Sequence, residues 1–449
     1  MASRADKMAS GVNFSKFGQA DDLKKRIWFT VGALIIFRLL AVVPIPGINP
    51  VLLASLNQQT QGTILDMFNA FSGGALTNAS IIAVGIMPYI TASIVVQLAA
   101  SLSPTLAAIK KEGESGRKKL NQYTRYGTVF LAALQGYVLA TRFESAAVDP
   151  GMLFLVTATI STIGGTMFLM WLGEQITSRG IGNGISLIIM AGIVSQIPRL
   201  IAGLLEGGRT NSINPLIIIG FLAMFVALTL LICFVERAQR RVLIQYPKRA
   251  TERGMMQADR SHLPLKLNTA GVIPPIFASS LLLLPTTIIQ LSGTEVTKDN
   301  ATGDFMLQLL QWLQHGQPIY LLLYGLGIIF FCFFYTAVQF NPEETAENLK
   351  KAGGFIPGIR PGKSTQDYLD YVLTRITVIG AAYLTLVCLL PDYVMGLTGQ
   401  QQFFVIGGTS LLILVNVTVD TIAQIQGHLM AHQYGDLLKK AKLKGNRAR

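Results

Sequence analysis

The sequence predicts an all-α polytopic membrane protein of ten transmembrane helices, arranged as two five-helix halves inverted relative to each other. Three observations predict it. Of 449 residues, 51% are hydrophobic and only 14% charged, well below the ~25% charge of a soluble domain. Ten apolar runs approach the ~20 residues that cross a bilayer core. They lie near Ile27–Val43, Asn78–Leu102, Tyr123–Thr141, Met152–Leu172, Ile185–Ile201, Ile213–Val235, Ala270–Leu291, Ile319–Val338, Val372–Leu390 and Phe403–Ile422. Placing the connecting segments on alternate sides then puts 30 of the 37 Lys and Arg on one side and four on the other, Arg199 at a span edge among them. An excess of Lys and Arg marks the cytoplasmic face, so both termini are expected there. Losing one span would scramble the alternation. A cut near Gly207 and Gly208 leaves five spans in each half, 1–207 and 208–449. Because five is odd, the halves must face opposite ways, the arrangement that builds sites at a midplane interface.

At the amino terminus, residues 1–27 carry no apolar core before Ile27, so the first span is expected to stay in the mature protein. Phe14, Phe17 and Leu23 sit among charges there, a pattern suited to an amphipathic segment on the membrane surface. Next, Phe68–Leu102 begins like a span, breaks at Ser72-Gly73-Gly74, and restarts from Asn78. Irregular backbone at membrane depth survives only where protein or a water-filled cavity satisfies its amides. The stretch therefore reads as a re-entrant piece lodged in a pore, as a kinked helix or as an ordinary amphipathic loop. Gly180-Ile181-Gly182-Asn183-Gly184 has no strand before it, so it is read as a flexible loop end rather than a dinucleotide site.

Two cytoplasmic segments, Glu236–Asn268 and Asn341–Tyr371, are long for a compact bundle. The first mixes basic residues with Val242–Tyr246, a stretch suited to a short strand or hairpin. It reads as a docking site for a cytoplasmic partner or as a loop that binds anionic lipid. In the second, Arg360 lies between Pro357 and Pro361, where stiffened backbone holds the side chain out. The tail KKAKLKGNRAR is basic and expected to be solvated.

Several chemistries are missing from the sequence. It has no H-E-x-x-H, no G-x-x-x-x-G-K and no cysteine pair at metal-ligand spacing. No cofactor, metal or catalytic residue is expected. The three cysteines and the ionisable residues near membrane depth read as packing and span-end groups. Arg38, Glu174, Glu236 and Asp420 all lie near span ends, where snorkelling or helix-terminal pairing accounts for them. A small-solute transporter should carry midplane ligands, and this chain shows none. Instead, Ile86 and Ile90 lie four apart on one helical face, as do Ile185 and Ile189.

The motifs FSGGAL, GIMPYITASI, KKEGESGRKKLNQYTRYGT, GTMFLMWLGEQITSRGIGNGIS, HLPLKLNTAGVIPPIFASS, FFCFFYTAVQFNPEETAENLKKAGGFIPGIRPG and GGTSLLI together resemble the SecY/Sec61 alpha family of protein-conducting channels, along essentially the whole chain. The resemblance implies a clamshell of two halves around a central pore with a re-entrant plug helix. It implies a pore ring of Ile86, Ile90, Ile185, Ile189, Ile276 and Ile413. The plug maps to 63–76, including Thr63, Ile64, Leu65, Phe68, Phe71, Gly73 and Gly74. A lateral gate would be lined by Thr91, Ile94, Gln97, Ser279 and Leu282. Partner docking would fall to Arg360, Arg253, Arg240, Arg241, Lys248 and Arg249. Where the family often has adjacent arginines, this chain has Arg253 alone. The implied partners are SecE and SecG in a heterotrimer, the ATPase SecA, the ribosome with its nascent chain, signal peptides, SecDF, YajC, YidC and anionic phospholipids. The implied location is the bacterial inner membrane.

Overall fold

The computed structural model describes residues 21–53, 69, 72–210, 214–246, 250–251, 254–255, 260–291, 312, 317–398 and 407–445. The described chain is mostly helical. Six helices are long and apolar enough to span a membrane, or up to seven if a bent pair counts as one.

In the first half, α1 (Asp21–Leu40) leads into α2 (Met87–Leu102), α3 (Pro104–Lys111), α4 (Glu114–Phe143), α5 (Met152–Arg179) and α6 (Gly184–Arg209). In the second half, α7 (Pro215–Arg237) precedes a four-strand excursion. Then come α8 (Ile273–Leu291), α9 (Pro318–Gln339), the short α10 (Pro342–Lys351), α11 (Lys363–Thr398) and α12 (Gly408–Gly445). Within the first half α4 packs on α2 and α5; within the second α9 packs on α8 and α11. The halves meet where α6 contacts α12 and where α2 contacts α8.

The helix expected from Asn78 starts only at Met87. Before it, residues 73–86 run as consecutive turns, a strap of buried irregular backbone. Gly73, Gly74 and Gly85 adopt φ of +70°, +85° and +63°, conformations that glycine takes without steric cost. Pro88 then sits in the first turn of α2, where its missing N–H costs nothing. The strap satisfies its amides against the end of α1: Ile81 N donates to the Val43 carbonyl at 3.1 Å and Ile45 N to that of Ala79 at 2.8 Å. Ser80 Oγ adds a bond to the Leu40 carbonyl at 2.9 Å. These bonds meet the requirement for irregular backbone at membrane depth. At its far end α2 meets α3 at a 105° bend.

Two further expectations are corrected. Leu23 does not lie on the membrane surface; it is buried with Ile181 and Leu429, because α1 is already helical from Asp21 and turns that face inward. Phe14 and Phe17 fall outside the described residues. The Gly180–Gly184 segment is pinned rather than flexible. Ile181 N donates to Thr30 Oγ1 at 3.1 Å, Gly182 N to Gln424 Oε1 at 2.9 Å and Gly184 N to Thr177 Oγ1 at 2.8 Å, while the Asn183 side chain caps α6. A Cβ on Gly184 would overlap the Gly173 carbonyl oxygen, so its glycine permits the close crossing of α5 and α6.

The four-strand excursion forms the expected hairpin: β1 (Gln239–Gln245) pairs antiparallel with β4 (Arg260–Lys266), and at its tip β2 (Ala250–Thr251) pairs with β3 (Gly254–Met255). Gln245 also exchanges both backbone bonds with Phe355, each 2.9 Å, which joins the two long loops. Beneath this bridge Val242, Leu265, Ile356, Val372 and Ile376 make a small separate core. The two loops thus form one packed platform.

Candidate functional site

All six of the isoleucines singled out in the sequence enter one hydrophobic cluster. Ile86, Ile189, Ile276 and Ile413 are buried within it, and Ile90 and Ile185 pack against it half-buried. They come from α2, α6, α8 and α12 and the residue that precedes α2, so both halves contribute. Phe37 of α1 and Leu169 and Ile176 of α5 complete the wall. A void of about 10 Å³ lies among Ile86, Ile90, Ile189, Ile276, Phe37 and Leu169, at the threshold for admitting one water. The i, i+4 spacing of the two isoleucine pairs turns each pair inward from its helix.

The strap closes one side of this cluster. Ser72, Val84 and Gly85 share the same void with Ile86 and Ile90. Gly73 and Gly74 lie against α6: a Cβ on Gly73 would stand 2.8 Å from Gly192 Cα, and one on Gly74 3.0 Å from Gln196 Nε2. Thr63, Ile64, Leu65, Phe68 and Phe71 lie outside the described residues.

The predicted gate residues separate into two groups. Ile94 of α2 and Leu282 of α8 join a second cluster, built mainly by α9, α11 and α12, in which Phe277 meets Phe331 edge-on at 5.7 Å. Thr91 and Ser279 are buried, and their hydroxyls bond to the Met87 and Ile276 carbonyls of their own helices. Gln97 is exposed and bonds only its helical neighbour Ser93, so it stands apart from the other four.

With this geometry in hand, comparison with known proteins is decisive. The SecY family model matches residues 80–422. The chain is 51% identical over 443 residues to the protein translocase subunit SecY of Escherichia coli K12, covering 97% of this chain and 98% of that one. The chain belongs to the SecY family. Two solved structures share its fold. One is a SecY whose plug domain is described as stabilising the closed state of the translocation channel and maintaining a membrane seal (TM-score 0.63, 17% identity, 90% of this chain and 92% of that one). The other is Sec61 in a canine ribosome–channel complex (TM-score 0.59, 17% identity, with the same coverage). At that identity they speak for the fold alone.

As a SecY-family protein the chain is a multi-pass membrane protein, and its docking residues are sought on the platform. Arg240 and Arg241 are exposed on β1. Arg360 is exposed between Gly358 and Gly362, both at positive φ, while Ile356 and Ile359, both just before it in the chain, anchor the turn in the platform core. Thr365 Oγ1 bonds the Arg360 carbonyl at 2.9 Å, which fixes the backbone from which the guanidinium projects. Lys248, Arg249 and Arg253 lie outside the described residues.

Of the four span-end charges, Glu174 pairs with Arg125 at 2.7 Å and Asp420 with Lys266 at 3.4 Å. Glu236 is buried and accepts a 2.6 Å bond from Asn268. Arg38 departs from the snorkelling expectation: it is half-buried and donates to the Gly73 carbonyl at 2.8 Å. Two more polar residues escaped sequence reasoning. Asn69 organises the glycine break, and Asp392, placed in a loop by hydropathy, is buried because α11 runs on to Thr398. For Asn69 the available signal was its place just ahead of two glycines.

Proposed function

We propose that the chain is the conducting subunit of a bacterial protein translocase, passing unfolded secretory polypeptides across the inner membrane and releasing apolar segments sideways into lipid. The observation that carries this reading is the convergence of six isoleucines from both halves on one hydrophobic cluster, with a glycine-rich strap beside it. In this reading Ile86, Ile90, Ile185, Ile189, Ile276 and Ile413 form the pore ring and residues 63–76 belong to the plug. Thr91, Ile94, Ser279 and Leu282 line the lateral gate between α2 and α8, with Gln97 at its cytoplasmic rim.

The physics fits a polypeptide and not an ion. An ion in an aliphatic constriction loses hydration without gaining a ligand, and such constrictions gate by dewetting. A polypeptide fills the gap with its own atoms. Isoleucine, stiff at χ1, suits a gasket that must reclose to one shape. A segment exposed to lipid through the gate gains roughly 0.3–0.6 kcal/mol per Leu or Ile, against a cost of ~3 kcal/mol for a central charge. Apolarity therefore sorts insertion from secretion.

Ten spans in two inverted halves, 1–207 and 208–449, with both termini cytoplasmic, remain the topology that the basic-residue alternation supports. The platform, with Arg360, Arg240 and Arg241 exposed, is the docking surface for SecA or the ribosome, and Arg253, Lys248 and Arg249 contribute to the same docking. SecE and SecG complete the channel. The test is conductance of the reconstituted protein in planar bilayers with and without residues 63–76. Deletion should produce large, flickering ion currents, and a cysteine replacing Ile90 should cross-link to a stalled nascent chain. A tight deletion variant that takes up a small solute saturably would overturn the reading.

A further inference from the structure

The strap is held by its backbone, from two helices at once. Arg38 Nη1 on α1 donates to the Gly73 carbonyl at 2.8 Å and to Ser195 Oγ at 3.0 Å. Ser195 itself donates to the Gly192 carbonyl, one turn back on α6, at 2.6 Å. The same hydroxyl makes a longer 3.4 Å bond to the Gly73 carbonyl, and its lone pair is offered to the guanidinium. Gln196 Nε2, next along α6, makes a longer 3.4 Å bond to the Asn69 carbonyl. Asn69 in turn closes the strap on itself: its side-chain oxygen accepts from Thr77 N at 3.2 Å and Thr77 Oγ1 at 2.8 Å, and its carbonyl accepts from Gly74 N at 2.9 Å. Among the described residues, the side chains bonded to Asn69 and Gly73 from outside the strap belong to α1 and α6.

We propose that Arg38, positioned by Ser195 and assisted by Gln196, is a latch that holds the strap shut and sets the resting leak of the channel. The inference rests on the reading of this segment as part of the plug. The chemistry makes the latch state-dependent. A charge-assisted bond to a carbonyl is strong where water is excluded, and the neighbouring void of about 10 Å³ has room for about one water at most. Once the passage hydrates, water replaces the Gly73 carbonyl as acceptor, while Ser195 keeps Arg38 in place. Release then reinforces itself, and reclosure finds the arginine already oriented. Side chains could not substitute for this grip. Gly73 is too close to α6 to carry a Cβ, so the latch must take hold of backbone oxygen.

The test uses the reconstituted channel with its partner subunits and reads single-channel openings at rest, together with maleimide labelling of a cysteine at Ser72, which is buried in the latched strap. Arg38→Gln should raise opening frequency and labelling rate by roughly ten- to a hundred-fold, the factor that loss of one hydrogen bond to a charged group carries. Ser195→Ala, small and neutral, should give a lesser rise, and Arg38→Lys should restore part of the seal. In a background lacking residues 63–76, Arg38→Gln should add nothing. If that deletion leaks but Arg38→Gln and Ser195→Ala both stay tight, the latch is refuted and the plug reading stands. If the deletion itself stays tight, the plug reading fails first. Should Arg38→Gln not accumulate, Ser195→Ala decides alone: wild-type openings and labelling would overturn the proposal.

Discussion

Replacing Ile413 with asparagine tests the dry constriction directly. Ile413 is 1% exposed and sits on α12 in one hydrophobic cluster with the other five isoleucines. The substitution forfeits about 1.5–3 kcal/mol of apolar burial. It also buries a carboxamide without a built-in partner, at about 1–3 kcal/mol by protein mutational scales. Both costs fall on the closed, dry state and are relieved when the passage hydrates. Their sum, about 2.5–6 kcal/mol, corresponds to roughly two to four powers of ten in the closed-to-hydrated ratio. Ile413→Val separates polarity from packing: it removes one methyl group, costs about 0.5–1.5 kcal/mol and leaves the site apolar. Resting ion flux from proteoliposomes and export of a reporter with a shortened apolar signal core would read both variants. The asparagine channel should leak and should export the defective signal, while the valine channel stays near wild type. If both variants leak equally, or if both reject the defective signal, exclusion of water by the ring is not what keeps the channel shut.

Three other outcomes follow from the same geometry. Arg360→Glu should slow secretion of a SecA-dependent substrate in reconstituted vesicles while leaving the detergent melting profile unchanged, because the side chain is exposed and its anchoring neighbours are not; wild-type kinetics would refute a docking role. Asn268→Ala removes the 2.6 Å partner of buried Glu236 together with the two bonds that the Asn268 side chain makes to the Gly271 backbone, and should cost at least about 1.5–3 kcal/mol, the worth of a hydrogen bond to a charged group alone. A lowered thermal midpoint checks this, and Glu236→Gln, still able to accept the bond, should be milder. Gly184→Val should force α5 and α6 apart at the Gly173 carbonyl, reducing yield or raising leak, whereas Gly203→Ala, with open space around its Cα, should match wild type in both measurements.

Much of the architecture was legible before any coordinates, for reasons local to the chain. A run of apolar residues needs no partner to declare a span, and the Lys and Arg bias needs only the order of the segments. The hairpin showed in Val242–Tyr246 because β-branched and aromatic residues fit a pleated ribbon. The break at Gly73 and Gly74 was visible for the same reason, since positive φ favours glycine. The boundaries were less legible: hydropathy began the second helix at Asn78, but backbone bonds to the end of α1 hold residues 73–86 in turns until Pro88 starts the helix.

What the sequence by itself determined is therefore the number and spacing of apolar segments, the side on which the charges gather, and where the backbone must break. Which isoleucines face one another was decided only in three dimensions. Ile219 is 66% exposed and Ile413 is 1% exposed, yet both are isoleucines within apolar helices and nothing local separates them. The same holds for Arg38, a span-end arginine along the chain, which becomes a strap anchor only because α6 brings Ser195 beside it. Hydrophobicity is a property of a residue, but a seal or a latch is a property of several elements meeting, and that meeting is fixed by long-range packing.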